Sequence, residues 1–288
     1  MGLSDNEFLG TSETASILYH DIFDYPLNAK EIIKWRVGNK VKSISSITGI
    51  TGKNGYFFVK GHEGLIYKRV LRKRISNRKI EIAKKNTSLL AKFPTIKGVF
   101  ITGALAMNNA KEKSDIDLMI IAKTNSLWLT RLVILVILVI LCVPFRRAGR
   151  KDEKDKLCIN IWLDESALSW DKKDRNIYSA HEIAQVNPIV DKENIYQRFL
   201  DKNRWILDYW PSAVKLPQDT GILGYKDTRK KFSVSQYLNI LVSFLDMLAF
   251  KLQYLYMRPK ITREVVTLHK AIFHPRNWGK EINELLSA

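Results

Sequence analysis

Cysteine is scarce: Cys142 and Cys158 are the only two in 288 residues, and they form no Cys-x-x-Cys pair. That excludes a disulfide scaffold and a cysteine-rich zinc site, and it suits a reducing compartment. The amino terminus, MGLSDNEFLG, has neither a basic stretch nor an apolar one, so no signal peptide is read and the chain is assigned to the cytoplasm. Gly-x-Ser-x-Gly, Walker and Gly-x-Gly-x-x-Gly patterns are all missing, which argues against serine-hydrolase, P-loop and Rossmann chemistry. His181-Glu182 belongs to no His-Glu-x-x-His motif, and His20, His62, His269 and His274 lack ligand spacing. Acidic charge is in deficit overall, with 29 Asp and Glu against 47 Lys and Arg and a net charge of +18. A polyanionic partner is expected: nucleotide, nucleic acid or an anionic membrane face. With 46% hydrophobic and 26% charged residues the chain is globular, and its length suits two domains or three small ones.

The basic excess is uneven. Residues 1–28 have no Lys or Arg and five acids, whereas residues 60–92 hold eleven Lys or Arg and only Glu63 and Glu81. Residues 60–92 have helix-forming composition and no proline before Pro94. They read as one long basic helix, either a solvated linker or a surface that tracks phosphates. Before it, helices are expected at about 12–22, at 29–36 behind the N-cap Asn28, and at 40–47. Asn54-Gly55 then turns the chain into the strand Tyr56–Val59. Three helices and a hairpin make a winged-helix arrangement. It serves either to place Lys40 and Lys42 in a DNA groove or simply to pack against protein.

Further on, Leu132 to Val143 is an uninterrupted apolar run of 12 residues, short for a membrane span of about 20. It reads as a helix packed on a sheet, with membrane association as the other reading. Arg146, Arg147, Arg150 and Lys151 flank it on either view. Strands are expected at 97–102, 115–121 and 157–163, with helices from Ser179 onward and one or two long helices across 233–272.

The string Ile101-Thr102-Gly103-Ala104 is followed, after ten residues, by Asp115-Ile116-Asp117-Leu118. Alternate residues of a strand share a face, so Asp115 and Asp117 project together. Two carboxylates so close repel, and a divalent cation relieves the cost: Mg²⁺ commonly takes one or two carboxylates plus substrate phosphates. Gly103 permits a sharp turn whose amides face an anion. Lys111 and Lys113 in the spacer either reach a triphosphate or belong to a solvated loop. The parts amount to a nucleoside-triphosphate site.

The stretch GVFITGALAMNNAKEKSDIDLMII resembles the nucleotidyltransferase superfamily of the DNA polymerase β type. Its mark is a hydrophobic strand, Gly-Ser or Gly-Gly, a spacer of about ten residues, and Asp-hydrophobic-Asp. The flanks, a winged helix before and helices after, resemble bacterial members. By that resemblance Asp115 and Asp117 bind Mg²⁺ or Mn²⁺ and carry catalysis, and Gly103, Ala104, Lys113 and Ser114 bind the nucleotide. A nucleoside monophosphate passes from an NTP, ATP by preference, to a hydroxyl acceptor with release of pyrophosphate. Ala104 stands where Gly-Ser members offer a hydroxyl. Asn160, neutral, stands where a third carboxylate usually lies, with Asp164, Glu165 and Glu182 as substitutes. The other function left open is a catalytically weakened member that binds nucleic acid through the basic helix 60–92 or acts as a scaffold. The expected fold is therefore α+β. A winged helix at 1–61 and a linker helix at 62–94 precede a mixed-sheet nucleotidyltransferase domain at 95–178 and a helical region at 179–288.

Overall fold

The computed structural model describes residues 10–40, 49–147, 153–216, 234–273 and 278–287. The expected helix at 40–47, with Lys42, and the cations Arg150 and Lys151 fall almost wholly or wholly outside them.

Helix α1 (Thr11–Asp21) is followed by β1 (Leu27–Asn28), α2 (Ala29–Lys34), β2 (Ile50–Lys53) and β3 (Tyr56–Val59). Asn28 closes α2 with a capping box: its side chain accepts from the Glu31 amide at 3.0 Å, and the Glu31 carboxylate accepts from the Asn28 amide at 3.0 Å. The three strands form an antiparallel sheet in the order β1-β3-β2, with Asn54 and Gly55 both at positive φ in the β2–β3 turn.

The long helix α3 (Gly64–Thr87) comes next, shorter than its basic composition suggested. Beyond it lie β4 (Ile96–Ile101), α4 (Gly103–Ala106), β5 (Ile116–Ala122), α5 (Leu127–Ile140) and β6 (Leu157–Asp164). The chain continues through α6 (Ile177–Ala184), β7 (Asn187–Asp191), α7 (Ile195–Lys202), α8 (Val234–Met257), β8 (Val265–Val266), β9 (Lys270–Ile272) and α9 (Trp278–Ser287). One six-stranded mixed sheet, in the order β7-β4-β5-β6-β9-β8, collects strands from across this length. Pairing is antiparallel except between β5 and β6, which run parallel. The region expected to be helical after residue 179 thus supplies three strands, all at or next to the sheet edges. Pro188 fits there because an edge strand can spare a backbone donor.

Period-2 alternation divides the central strands between two cores. Phe100, Met119, Ile121, Ile161 and Leu163 face one cluster, which also contains Tyr19, Leu27 and Trp35 of the N-terminal unit and Ile183, Phe199 and Trp210. Val99, Ile101, Leu118, Ile120 and Trp162 face the other, against Trp128, Ile134 and Leu138 of α5. The N-terminal unit therefore shares its core with one face of the large sheet. The apolar run expected as a helix on a sheet is α5, half buried on the opposite face. Tyr237–Lys260 is, among the described residues, the one helical segment long and apolar enough to cross a membrane.

Candidate functional site

Asp115 and Asp117 stand at the entrance to β5, on the row that continues inward as Met119 and Ile121. The bend after β4 is tied opposite them, because the Thr102 amide donates to the Asp117 carbonyl at 3.1 Å. Gly103 takes φ +60° there, and a Cβ on it would lie 2.9 Å from Asp117 Oδ2. Glycine is required twice over, by the left-handed backbone and by the carboxylate. The helix beyond, α4, is four residues long, a single turn that supplies little dipole.

Strand β6 lies parallel beside β5 and contributes Cys158 opposite Asp117. The register then slips between Leu118 and Met119, so Asn160 is the extra residue of a bulge. Cys158 and Asn160 alternate onto the Asp117 face, and the bulge then lets Ile161 and Leu163 share it with Met119 and Ile121. Asn160 Nδ2 donates to Asp117 Oδ1 at 2.7 Å, and its own Oδ1 is buried with no partner among the described residues. The segment following α5 crosses the start of β6, where the Arg146 amide donates to the Leu157 carbonyl at 2.8 Å. It brings Arg146 Nη1 to 2.9 Å from Asp115 Oδ2 and Nη2 to 2.5 Å from Glu153 Oε1.

From α6, Glu182 enters the same cavity, of about 530 Å³. Its carboxylate accepts from Gln185 Nε2 at 2.6 Å and from the Gly103 amide. Burial first, and the Asp117 charge second, push Glu182 up to about 8. Burial and the neighbouring Asp115 likewise raise Asp117 to about 7, with Arg146 pulling the other way. Burial between two carboxylates drives the Cys158 thiol well above its ordinary range, so it stays protonated and donates to Asp117. His20 and His181 also line the cavity, with their Nε2 atoms 3.1 Å apart. His20 Nδ1 lies 2.8 Å from the Ser16 carbonyl and therefore carries the proton, leaving Nε2 to accept from His181. Burial lowers His20 to about 3, so the pair is neutral and unsuited to acid–base work at pH 7.

Of the residues expected from sequence, Gly103, Ala104, Asp115, Asp117, Asn160 and Glu182 all line this cavity. Lys113 is exposed and Ser114 bonds its own loop, its hydroxyl donating to the Lys111 carbonyl at 2.9 Å; neither lines the cavity. Asp164 is buried at the far end of β6, accepting from His269, Ser166 and Asn125, and Glu165 pairs with Arg198. Sequence reasoning used Arg146 only as a flank and Cys158 only as a count. The clue to Cys158 was its position two residues before Asn160 on one strand face; for Arg146, which arrives from a loop, there was none.

The donor set suits a hard divalent cation. Ligand atoms of Asp115, Asp117 and Cys158 lie within 4.8 Å of one another. Two carboxylates and the orphaned Asn160 oxygen supply oxygen ligands, while the protonated thiol is a poor one. No family model matches the chain, and no curated protein or solved structure is similar enough to count as a match.

Proposed function

We propose that the chain is a metal-dependent nucleotidyltransferase, acting in the cytoplasm, that moves a nucleoside monophosphate from an NTP, preferably ATP, to a hydroxyl acceptor. On this reading the β4–bend–β5–β6 core is a nucleotidyltransferase fold, and the N-terminal helices with the β2–β3 hairpin are a winged-helix unit. One observation carries the proposal: two carboxylates on a single strand face abut a glycine bend in a cavity large enough for a nucleotide, beside a buried oxygen that has no partner among the described residues.

Asp115 and Asp117 would hold Mg²⁺ or Mn²⁺, with Asn160 orienting Asp117 through Nδ2 and offering Oδ1. A bound divalent cation supplies charge neutralisation for the triphosphate. Arg146, held between Asp115 and Glu153, adds a positive charge at the same place. Gly103 leaves room where any side chain would intrude on Asp117. In the transfer, the acceptor oxygen bonds to the α-phosphorus, the bond to the bridging oxygen breaks and pyrophosphate leaves. The hydroxyl proton passes to Glu182, the further carboxylate that lines the same cavity.

Incubation with each α-labelled NTP, Mn²⁺ or Mg²⁺ and cell extract tests this directly. Label transfer is expected, reduced by about a thousandfold or more in Asp115→Asn/Asp117→Asn, as when preorganised charge is removed from other active sites. Equal labelling by the double variant rejects the assignment.

A further inference from the structure

Helix α8 packs on the body through Ala249 and Phe250 yet leaves most of its apolar residues in solvent. Its polar residues Asn239, Asp246 and Gln253, spaced by sevens, lie on the side that meets the body, Asp246 buried, Gln253 half-buried and Asn239 at the exposed rim. Asn239 Oδ1 accepts from Lys123 at 2.8 Å, Asp246 Oδ1 accepts from the Leu129 amide at 2.7 Å, and Gln253 Nε2 donates to the Trp128 carbonyl at 2.8 Å. Its leucines turn outward: Leu241, Leu245, Leu248, Leu252 and Leu255 repeat at alternating steps of four and three, which is one helical stripe, and all are exposed. Leu252 and Leu255 keep 68% and 66% of their surface, values expected of lysine rather than leucine at such a position. Helix α5, against which α8 packs, adds exposed Val136, Val139 and Ile140.

We infer that α8 is the membrane-docking face of the protein, lying in the plane of an anionic bilayer with its leucine stripe among the acyl chains and flanking cations at the headgroups. Three features favour lipid. Lys251, Arg258, Lys260 and Arg263 are exposed, and residues 251–263 contain no acid. Anionic headgroups complement these cations. Tyr237 and Tyr256 lie exposed near the two ends of the stripe, as amphipathic rings do at a lipid interface. The polar anchors at 239, 246 and 253 hold about 21 Å of the helix flat on the body, given 1.5 Å per residue, so it lies on the membrane instead of crossing it. This inference rests on the helix face and is independent of the transfer reaction proposed above.

Flotation of the full chain with phosphatidylcholine vesicles, alone or with 30% phosphatidylserine, tests it, alongside sedimentation equilibrium without lipid. Expected is co-flotation with the anionic vesicles, at least tenfold weaker with neutral ones, and release by alkaline carbonate. Leu248→Glu/Leu252→Glu, exposed positions checked for folding by circular dichroism and melting temperature, should lower the anionic partition at least tenfold. Lys251→Glu/Arg258→Glu/Lys260→Glu should erase the preference for phosphatidylserine. Failure to float overturns the inference, whether the protein is then monomeric or forms a dimer that the leucine substitutions dissociate. Retention through carbonate overturns the in-plane geometry.

Discussion

Gly103 concentrates the demands on the site into one residue. Alanine there would hold a left-handed backbone at a cost of about 1–2 kcal/mol and set its Cβ against Asp117 Oδ2. Gly103→Ala is expected to lower the melting temperature by several degrees and to weaken Mn²⁺ binding about tenfold, as read by calorimetry. Retained affinity would show that Asp117 is not fixed by the bend. Asn160 makes the complementary case. If its unpartnered oxygen is a ligand, Asn160→Asp adds charge to the donor set and should tighten Mn²⁺ by about tenfold, since ligand charge count tunes affinity, while Asn160→Leu should loosen it. The paired aspartates and the glycine were legible in the sequence because strand alternation and backbone freedom are local properties. Arg146 was not, because a loop crossing brings it in, and Cys158 showed itself only through its place two residues before Asn160. Asn160 was legible by the same alternation, whereas no local pattern announces the bulge that puts Ile161 and Leu163 on the same face.

At the scale of elements, α3 shows how composition conceals direction. Its buried stripe is Leu65, Arg69, Arg72, Ser76, Lys79, Ala83 and Thr87, so three cations of a basic helix point inward. Arg69 donates to Glu31 at 2.5 Å and stacks on Tyr25, and Arg72 donates to Asp24 at 2.9 Å and to Asn109 at 3.1 Å. Lys79, fully buried, reaches Asp155 at 2.6 Å and the Ser114 carbonyl at 2.7 Å. The helix is a polar clamp joining the N-terminal unit to the loop that carries Asp115. Only its other cations, such as Lys73, Arg74 and Lys85, face outward. Lys79→Met should therefore cost about 2–3 kcal/mol in urea denaturation, somewhat below the usual figure for breaking a buried pair because Arg78 still neutralises Asp155. Lys73→Met and Arg74→Met should each stay within about 0.5 kcal/mol. Equal costs would mean that the clamp carries no stability. A hydrophobic pattern cannot reveal a polar buried stripe, and strands of two or three residues such as β8 and β9 are too short to have a period, which is why the helices were more readable than the sheet edges.

Across the whole molecule, the N-terminal unit is joined to the sheet by an aromatic cluster built around two histidines. His20 of α1 meets His181 of α6, and Trp35 lies 4.1 Å from His181 with Trp210 and Tyr19 around them. Burial lowers both histidines, His20 to about 3, and nearby Arg69 and Lys34 reinforce the shift. A lowered histidine favours the folded state fully above its unfolded pKa of about 6.5. That contribution fades as the pH falls toward the folded value, by up to about 1.4 kcal/mol per pH unit for each histidine. Asp117 and Glu182, raised by burial, act in the opposite sense and gain stability as they protonate. The histidine contribution is thus read as a difference between proteins. Urea midpoints for the wild type and for His20→Gln/His181→Gln should diverge most at pH 7.5 and converge toward pH 4.5, the wild type losing more on acidification. Parallel pH profiles would mean that the two rings do not form a neutral buried pair, and that the joint between the N-terminal unit and the site is held by the surrounding aromatics alone.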